Sequence, residues 1–94
     1  MSDIISAEQM EETLKKLQEW EGEGKGIERW FEFEDFAEAM EFVNTVAEVA
    51  EEADHHPDID IRWNKVRLSL VTHSADGLTE LDIELAQRID RLVD

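Results

Sequence analysis

The residues best suited to chemistry are histidines. His55 and His56 are adjacent in the stretch EEADHHPDIDIRW, residues 51–63, just ahead of the only proline, Pro57; the third, His73, follows the next apolar run. Imidazole changes charge around neutrality, so histidines at one place suit general acid–base catalysis. The chain has no cysteine, which removes thiol catalysis, zinc–thiolate sites and disulfides. No Ser or Thr sits in a nucleophile-elbow motif. Imidazoles flanked by carboxylates also hold zinc, but the helical H-E-x-x-H spacing is missing, and neighbours on a regular strand point to opposite faces. The reading is therefore proton transfer with no metal and no cofactor. The plainer alternative, for each histidine alone, is a helix-end or surface position.

The surrounding pattern says how these residues are positioned. Ser6 and Gln9 fit a capping box, with Ile5 placed to staple onto Met10, and Met10, Leu14 and Leu17 form an apolar stripe. Trp20 and the loop GEGKG, residues 22–26, end that helix; the glycine spacing is not that of a phosphate loop. EWEGEGKG fits a short edge strand. IERWFEF, residues 27–33, alternates, with Ile27, Arg29, Phe31 and Phe33 on one face. Asp35 and Glu38 cap a helix running to about Asp54. It carries two apolar stripes: Phe36, Met40, Val43, Ala47 and Ala50, then Phe42, Val46, Val49 and Ala53. Two stripes exceed one sheet contact, so one is expected on the sheet and the other on a partner subunit.

DIDIRW and VRLSLVTH alternate around Asn64-Lys65, a pair that suits a tight hairpin loop. That loop pairs Trp63 with Val66, Ile61 with Leu68 and Ile59 with Leu70 on a buried face, and continued outward it sets His56 opposite His73. Thr79 and Asp82 cap the last helix, Leu78 staples to Ile83, and Leu81, Leu85, Ile89 and Leu92 line its inner face. The expected fold is α+β, in the order α-β-β-α-β-β-α: a four-stranded antiparallel sheet with three helices on one face. The 94 residues make one domain. His55 then stands at a helix C-terminus. Glu51 lies four residues earlier, the acid-before-base order that favours an ion pair, so Glu51 is expected to orient His55.

Charge narrows the partners. Nine Lys and Arg against 25 Asp and Glu give a net charge of −16. That argues against nucleic acid, which needs clustered cations, and against anionic membranes. It suits either plain solubility or high salt, where self-repulsion is screened; the scarcity of lysine favours a halophilic setting. No apolar run approaches the roughly 20 residues of a membrane span, and MSDIISAEQM lacks signal-peptide regions. A cytoplasmic protein is expected.

Glu51, His55-His56-Pro57, Trp63, His73 and Asp82 together resemble the signature of pterin-4a-carbinolamine dehydratases. WNKVRLSLVTH (63–73), GLTELDIELAQRID (77–90) and WFEFEDFAEAMEFVNTVAEVAEE (30–52) are similar to the family's hairpin, last helix and long helix. The resemblance implies the fold above and homo-oligomers, dimers or tetramers, joined through sheet edges and the 36–54 helix. It implies dehydration of 4a-hydroxytetrahydropterin to quinonoid dihydropterin, in recycling of the pterin used by aromatic amino-acid hydroxylases. Under it, His55 and His73 are the acid–base pair and His56 binds the ring and shares proton transfer. Glu51, Asp54, Pro57, Thr72, Ser74 and Ala75 belong to the substrate pocket. Trp63 and Asp82 match the signature but read as structural, one on a buried face, one as a helix cap. Two alternatives stay open: a non-catalytic oligomerisation or protein-binding module on the same fold, and a related enzyme on a different pterin. The family's animal members also partner a homeodomain transcription factor; no matching surface is legible here, so that role is not expected.

Overall fold

The computed structural model describes residues 4–93. The elements are α1 (Ala7–Lys16), β1 (Glu21–Glu23), β2 (Gly26–Glu32), α2 (Phe36–Ala53), β3 (Asp58–Arg62), β4 (Lys65–Leu70) and α3 (Glu80–Val93). All pairings are antiparallel and the sheet order is β1-β2-β4-β3. This is the expected α+β fold.

Local chemistry sets most boundaries. The Ser6–Gln9 capping box opens α1. Asp35 Oδ1 accepts the Glu38 backbone N–H at 2.9 Å to open α2. Gly24, at φ 57°, turns β1 into β2. Gly26 sits so close to β4 that an added Cβ would lie 2.0 Å from the Leu70 carbonyl oxygen.

Alternation sorts the sheet. Val66, Leu68 and Leu70 of β4 are fully buried beneath the helices with Ile27 and Phe31 of β2. Phe31 and Phe33 flank Phe42 of α2 at ring distances of 4.7 and 5.0 Å. The other sheet face is ionic. Arg67 Nη1 donates to Glu28 Oε2 at 2.7 Å, and this bond holds the guanidinium above its ordinary value, against the cost of burial and with the charges of Glu28 and Asp60 adding to it.

Three packing expectations are corrected. In α2 the inner face is Ala39, Phe42, Val43, Val46 and Ala50. Phe42 and Val46 of one stripe and Val43 and Ala50 of the other are therefore buried together, with Val49 and Ala53 packed against the core, so neither stripe is left whole for a partner. Phe36 and Ala47 face outward. The helix is rolled so that the row between the two stripes meets the sheet. In α3, Ile83 and Ala86 are buried while Leu81 and Leu92 are exposed, a similar roll.

The hairpin is the third. Arg62 pairs with Lys65, so the two-residue loop is Trp63-Asn64. Ile61 then faces Val66 and Ile59 faces Leu68, two residues from the expected register; their parity is inward, but on the edge strand β3 both stay more than a third exposed and are not buried as expected. The cause lies outside the hairpin. Asn64 donates its side-chain amide to the Phe33 carbonyl at 2.9 Å, and its own carbonyl accepts the Phe33 N–H at 2.9 Å. That fixes Asn64 as a loop residue tied to the end of β2. Trp63 takes φ 55° and is 68% exposed, not buried.

One ionic contact lies within the core. Arg29, on the inner face of β2, donates from Nη1 to Asp90 Oδ1 at 2.6 Å; the same oxygen accepts Trp20 Nε1 at 2.8 Å. The guanidinium also lies 4.4 Å from the Phe31 ring centre, a cation–π contact. Arg29 Nε is buried without a partner. Asp90→Ala would strand a mostly buried cation, so urea unfolding should show a loss of about 3 kcal/mol. Arg29→Met with Asp90→Leu removes both charges and should recover most of it; an equal or larger loss in the double variant would contradict this account.

Candidate active site

The site forms where α2, β4 and α3 meet. α2 ends at Ala53, and Asp54 takes a left-handed conformation at φ 51°, ψ 41°. A non-glycine residue there is strained. The turn lets the His55 N–H bond back to the Ala50 carbonyl at 3.1 Å, closing the helix. His55 is thereby directed toward the start of α3.

There its Nε2 lies 2.5 Å from Asp82 Oδ1. The Asp82 side chain is fully buried and that of His55 nearly so. Asp82 Oδ2 accepts the Thr79 backbone N–H at 2.9 Å and the Thr72 hydroxyl at 2.7 Å. One carboxylate thus ties the end of α2, the exit of β4 and the first turn of α3. Asp82 is the reciprocal cap expected from the sequence, and it is also the partner of His55.

Glu51 does not orient His55, because the helix stops before the i,i+4 geometry reaches it. Its Oε2 lies 2.5 Å from His56 Nε2 instead, and both side chains are well exposed. The His56–His73 opposition is likewise corrected. The ladder ends at Asp58↔Ser69, and its register carried outward sets His56 against Val71.

His73 occupies a tight loop. Thr72 N–H donates to the Gly77 carbonyl at 2.9 Å and Gly77 N–H returns to Thr72 at 3.3 Å. Between them His73, Ser74, Ala75 and Asp76 turn outward, with Asp76 at φ 59° and bound to Lys25 Nζ at 2.5 Å. His73 is exposed and borders a 250 Å³ recess with Glu23, Lys25, Asp58, Ser69 and Asp76. His55 and His56 do not line that recess.

The predicted residues therefore separate. His55 and His73 are linked through Asp82 and Thr72, the neighbour of His73. His56 and Glu51 form an outer pair, beside Asp54 and Pro57. Thr72 is buried and its hydroxyl faces Asp82 and Thr79, so that side chain is spoken for within the protein. Trp63 sits at the far end of the hairpin, across β3 from Pro57 and the histidines. Thr79 is the expected helix cap, but its place beside the site was not expected; the only signal was the capping spacing to Asp82. Among the described residues no three His, Asp or Glu side chains gather as a metal ligand set.

Comparison with known proteins shows the family. The sequence profile described as Pterin 4 alpha carbinolamine dehydratase matches residues 3–92. The chain belongs to that family. A protein of Acidobacterium capsulatum, provisionally named pterin-4-alpha-carbinolamine dehydratase, is 55% identical, covering 95% of this chain and 97% of its own. One from Sulfurisphaera tokodaii with the same provisional name is 44% identical over 95% of this chain and 96% of its own. The crystal structure of a transcriptional coactivator/pterin dehydratase from Brucella melitensis superposes at TM-score 0.94, with 35% identity, covering 98% of this chain and all of that one. A pterin dehydratase-like protein identified as a RuBisCO assembly factor in the alpha-carboxysome aligns at TM-score 0.65 and 26% identity, over 78% of this chain and 84% of its own.

The two environments predict different costs. Asp82→Ala leaves Thr72 Oγ1 and the Thr79 N–H without an acceptor in a buried place, at about 1–3 kcal/mol each. His56→Ala and His73→Ala touch exposed side chains and should fall within about 0.5 kcal/mol of the native protein. Denaturant titration of the three variants checks this ordering.

Proposed function

We propose that this protein dehydrates 4a-hydroxytetrahydropterin to quinonoid dihydropterin and water by histidine acid–base catalysis. The observation that carries the reading is His55, held by a buried carboxylate, within a chain that has the family's sequence pattern.

The chemistry is a redox-neutral elimination. The bond from C4a to the hydroxyl oxygen breaks as that oxygen gains a proton and departs as water. The N5 proton is removed, and its electron pair forms the new C4a–N5 double bond. One group must give a proton and another take one, and the two are reset by exchange with solvent. No electron carrier enters the balance. His55 and His73 are assigned to these two transfers. His56, with Glu51, contacts the ring from the open side. Ser74 and Ala75 offer backbone groups beside His73, and Asp54 and Pro57 shape the approach to His55. The place of the reaction in tetrahydropterin recycling, in the cytoplasm, belongs to this same reading. No helix among the described residues is long and apolar enough to cross a membrane.

A homo-oligomer belongs to it too. β1 and β3 are free sheet edges among the described residues, and Phe36 of α2 is half exposed. The core positions of Phe42 and Val46 move the expected helix contact to the outer side of α2.

The second reading is an assembly module without catalysis; the alpha-carboxysome neighbour is a pterin dehydratase-like protein identified as a RuBisCO assembly factor. The two separate on turnover. Freshly generated 4a-hydroxytetrahydropterin should lose its absorbance faster with the native protein, in low or high salt and after chelation. His55→Gln and His73→Ala should slow this by about 10²-fold or more while remaining folded. No acceleration from folded native protein would remove the dehydratase reading on this substrate. For the oligomer, light scattering should show a smaller mass for Phe36→Glu with little change in melting temperature; an unchanged mass would remove α2 as a contact.

A further inference from the structure

The direction of each hydrogen bond around Asp82 follows from the donors present. A carboxylate accepts only, so Thr72 Oγ1, 2.7 Å from Asp82 Oδ2, must spend its one proton there. Thr79 Oγ1, 2.7 Å from Thr72 Oγ1, is then the donor of that pair. Consistently, Thr79 Oγ1 accepts from the Leu81 N–H at 3.2 Å. The chain therefore runs one way, from Leu81 N–H through Thr79 and Thr72 to Asp82. The Thr79 backbone N–H supplies a second donor to the same oxygen. Only Oδ1 remains for His55.

We infer that Asp82, oriented by Thr72 and Thr79, is a positioning residue that keeps the proton of neutral His55 on Nε2 and leaves Nδ1 as its working nitrogen. Nδ1 makes no hydrogen bond among the described residues. It is not sealed either, since Arg29 Nε is the only buried side-chain nitrogen or oxygen there without a partner. A ring nitrogen that is open and unpartnered beside a pinned one is what a base needs to take a proton, or an imidazolium to give one. The inference rests on the dehydratase reading for its use, but the tautomer itself does not. It also changes the place of Thr72, from a substrate contact to the link between the His73 loop and the carboxylate that holds His55.

The test reads the tautomer directly. Long-range ¹H–¹⁵N spectra of the imidazoles, with His55 assigned by its loss in His55→Gln, should show neutral His55 protonated at Nε2. Asp82→Asn makes the sharper test. Its amide oxygen must serve Thr72 and the Thr79 N–H, which turns the NH₂ toward Nε2. Neutral His55 should then move its proton to Nδ1, and turnover should fall by about 10²-fold. Thr72→Val should lower the rate by loosening the carboxylate while the Nε2 tautomer persists, because a carboxylate still only accepts, and Thr72→Ser should restore the rate. A native His55 protonated at Nδ1 would overturn the inference, even if Asp82→Asn failed to fold. So would a tautomer unchanged in folded Asp82→Asn. The predicted tautomers in a protein with no turnover would uphold the positioning and sink the dehydratase reading.

Discussion

The Asp82 carboxylate is the contact on which the rest of this small structure converges. It is fully buried, and burying a carboxylate is costly unless its oxygens are filled by donors. Here Thr72, Thr79 and His55 fill them, and each arrives from a different element. The demand for donors thus decides how α2, β4 and α3 must end relative to one another. A charge that would be a liability alone becomes the reason the histidine end of the sheet has one arrangement.

The remaining architecture serves that junction. The strained Asp54 turn stops α2 and sends His55 inward and His56 outward, so that adjacent residues meet opposite environments. The Thr72–Gly77 bridge holds His73 in a loop, and Lys25–Asp76 joins that loop to the β1–β2 turn. Away from the site, Arg29, Asp90 and Trp20 fasten α3 to β2 and to the connection between α1 and β1. The outer sheet face pairs Arg67 with Glu28 and Asp60, which places both signs together on a chain of net charge −16.

What was legible in the sequence was local. The caps at Ser6, Asp35 and Thr79 depend on residues three positions apart, and strand parity depends on alternate residues, so both could be read directly. The family pattern was equally plain, because its residues are specific in combination. Most of the misreadings involve a contact distant in sequence. Asn64 belongs to the hairpin loop because Phe33 binds it, and nothing near Asn64 signals this. Two apolar stripes on α2 leave its roll undecided until the sheet chooses the row between them. Glu51 fits His55 by spacing, but Asp82 claims His55 from 27 residues away. Asp82 was recognised as a cap, and a cap gives no hint that its second oxygen holds a histidine.

The central claim is that Asp82 serves the chemistry through His55 rather than beside it. The most direct measurement is the dehydration rate of His55→Gln, Asp82→Asn and the double variant, each shown to be folded. Residues that act as one unit are strongly non-additive. The account predicts that the double variant is no slower than His55→Gln alone. A double variant slowed by the product of the two single effects would contradict it.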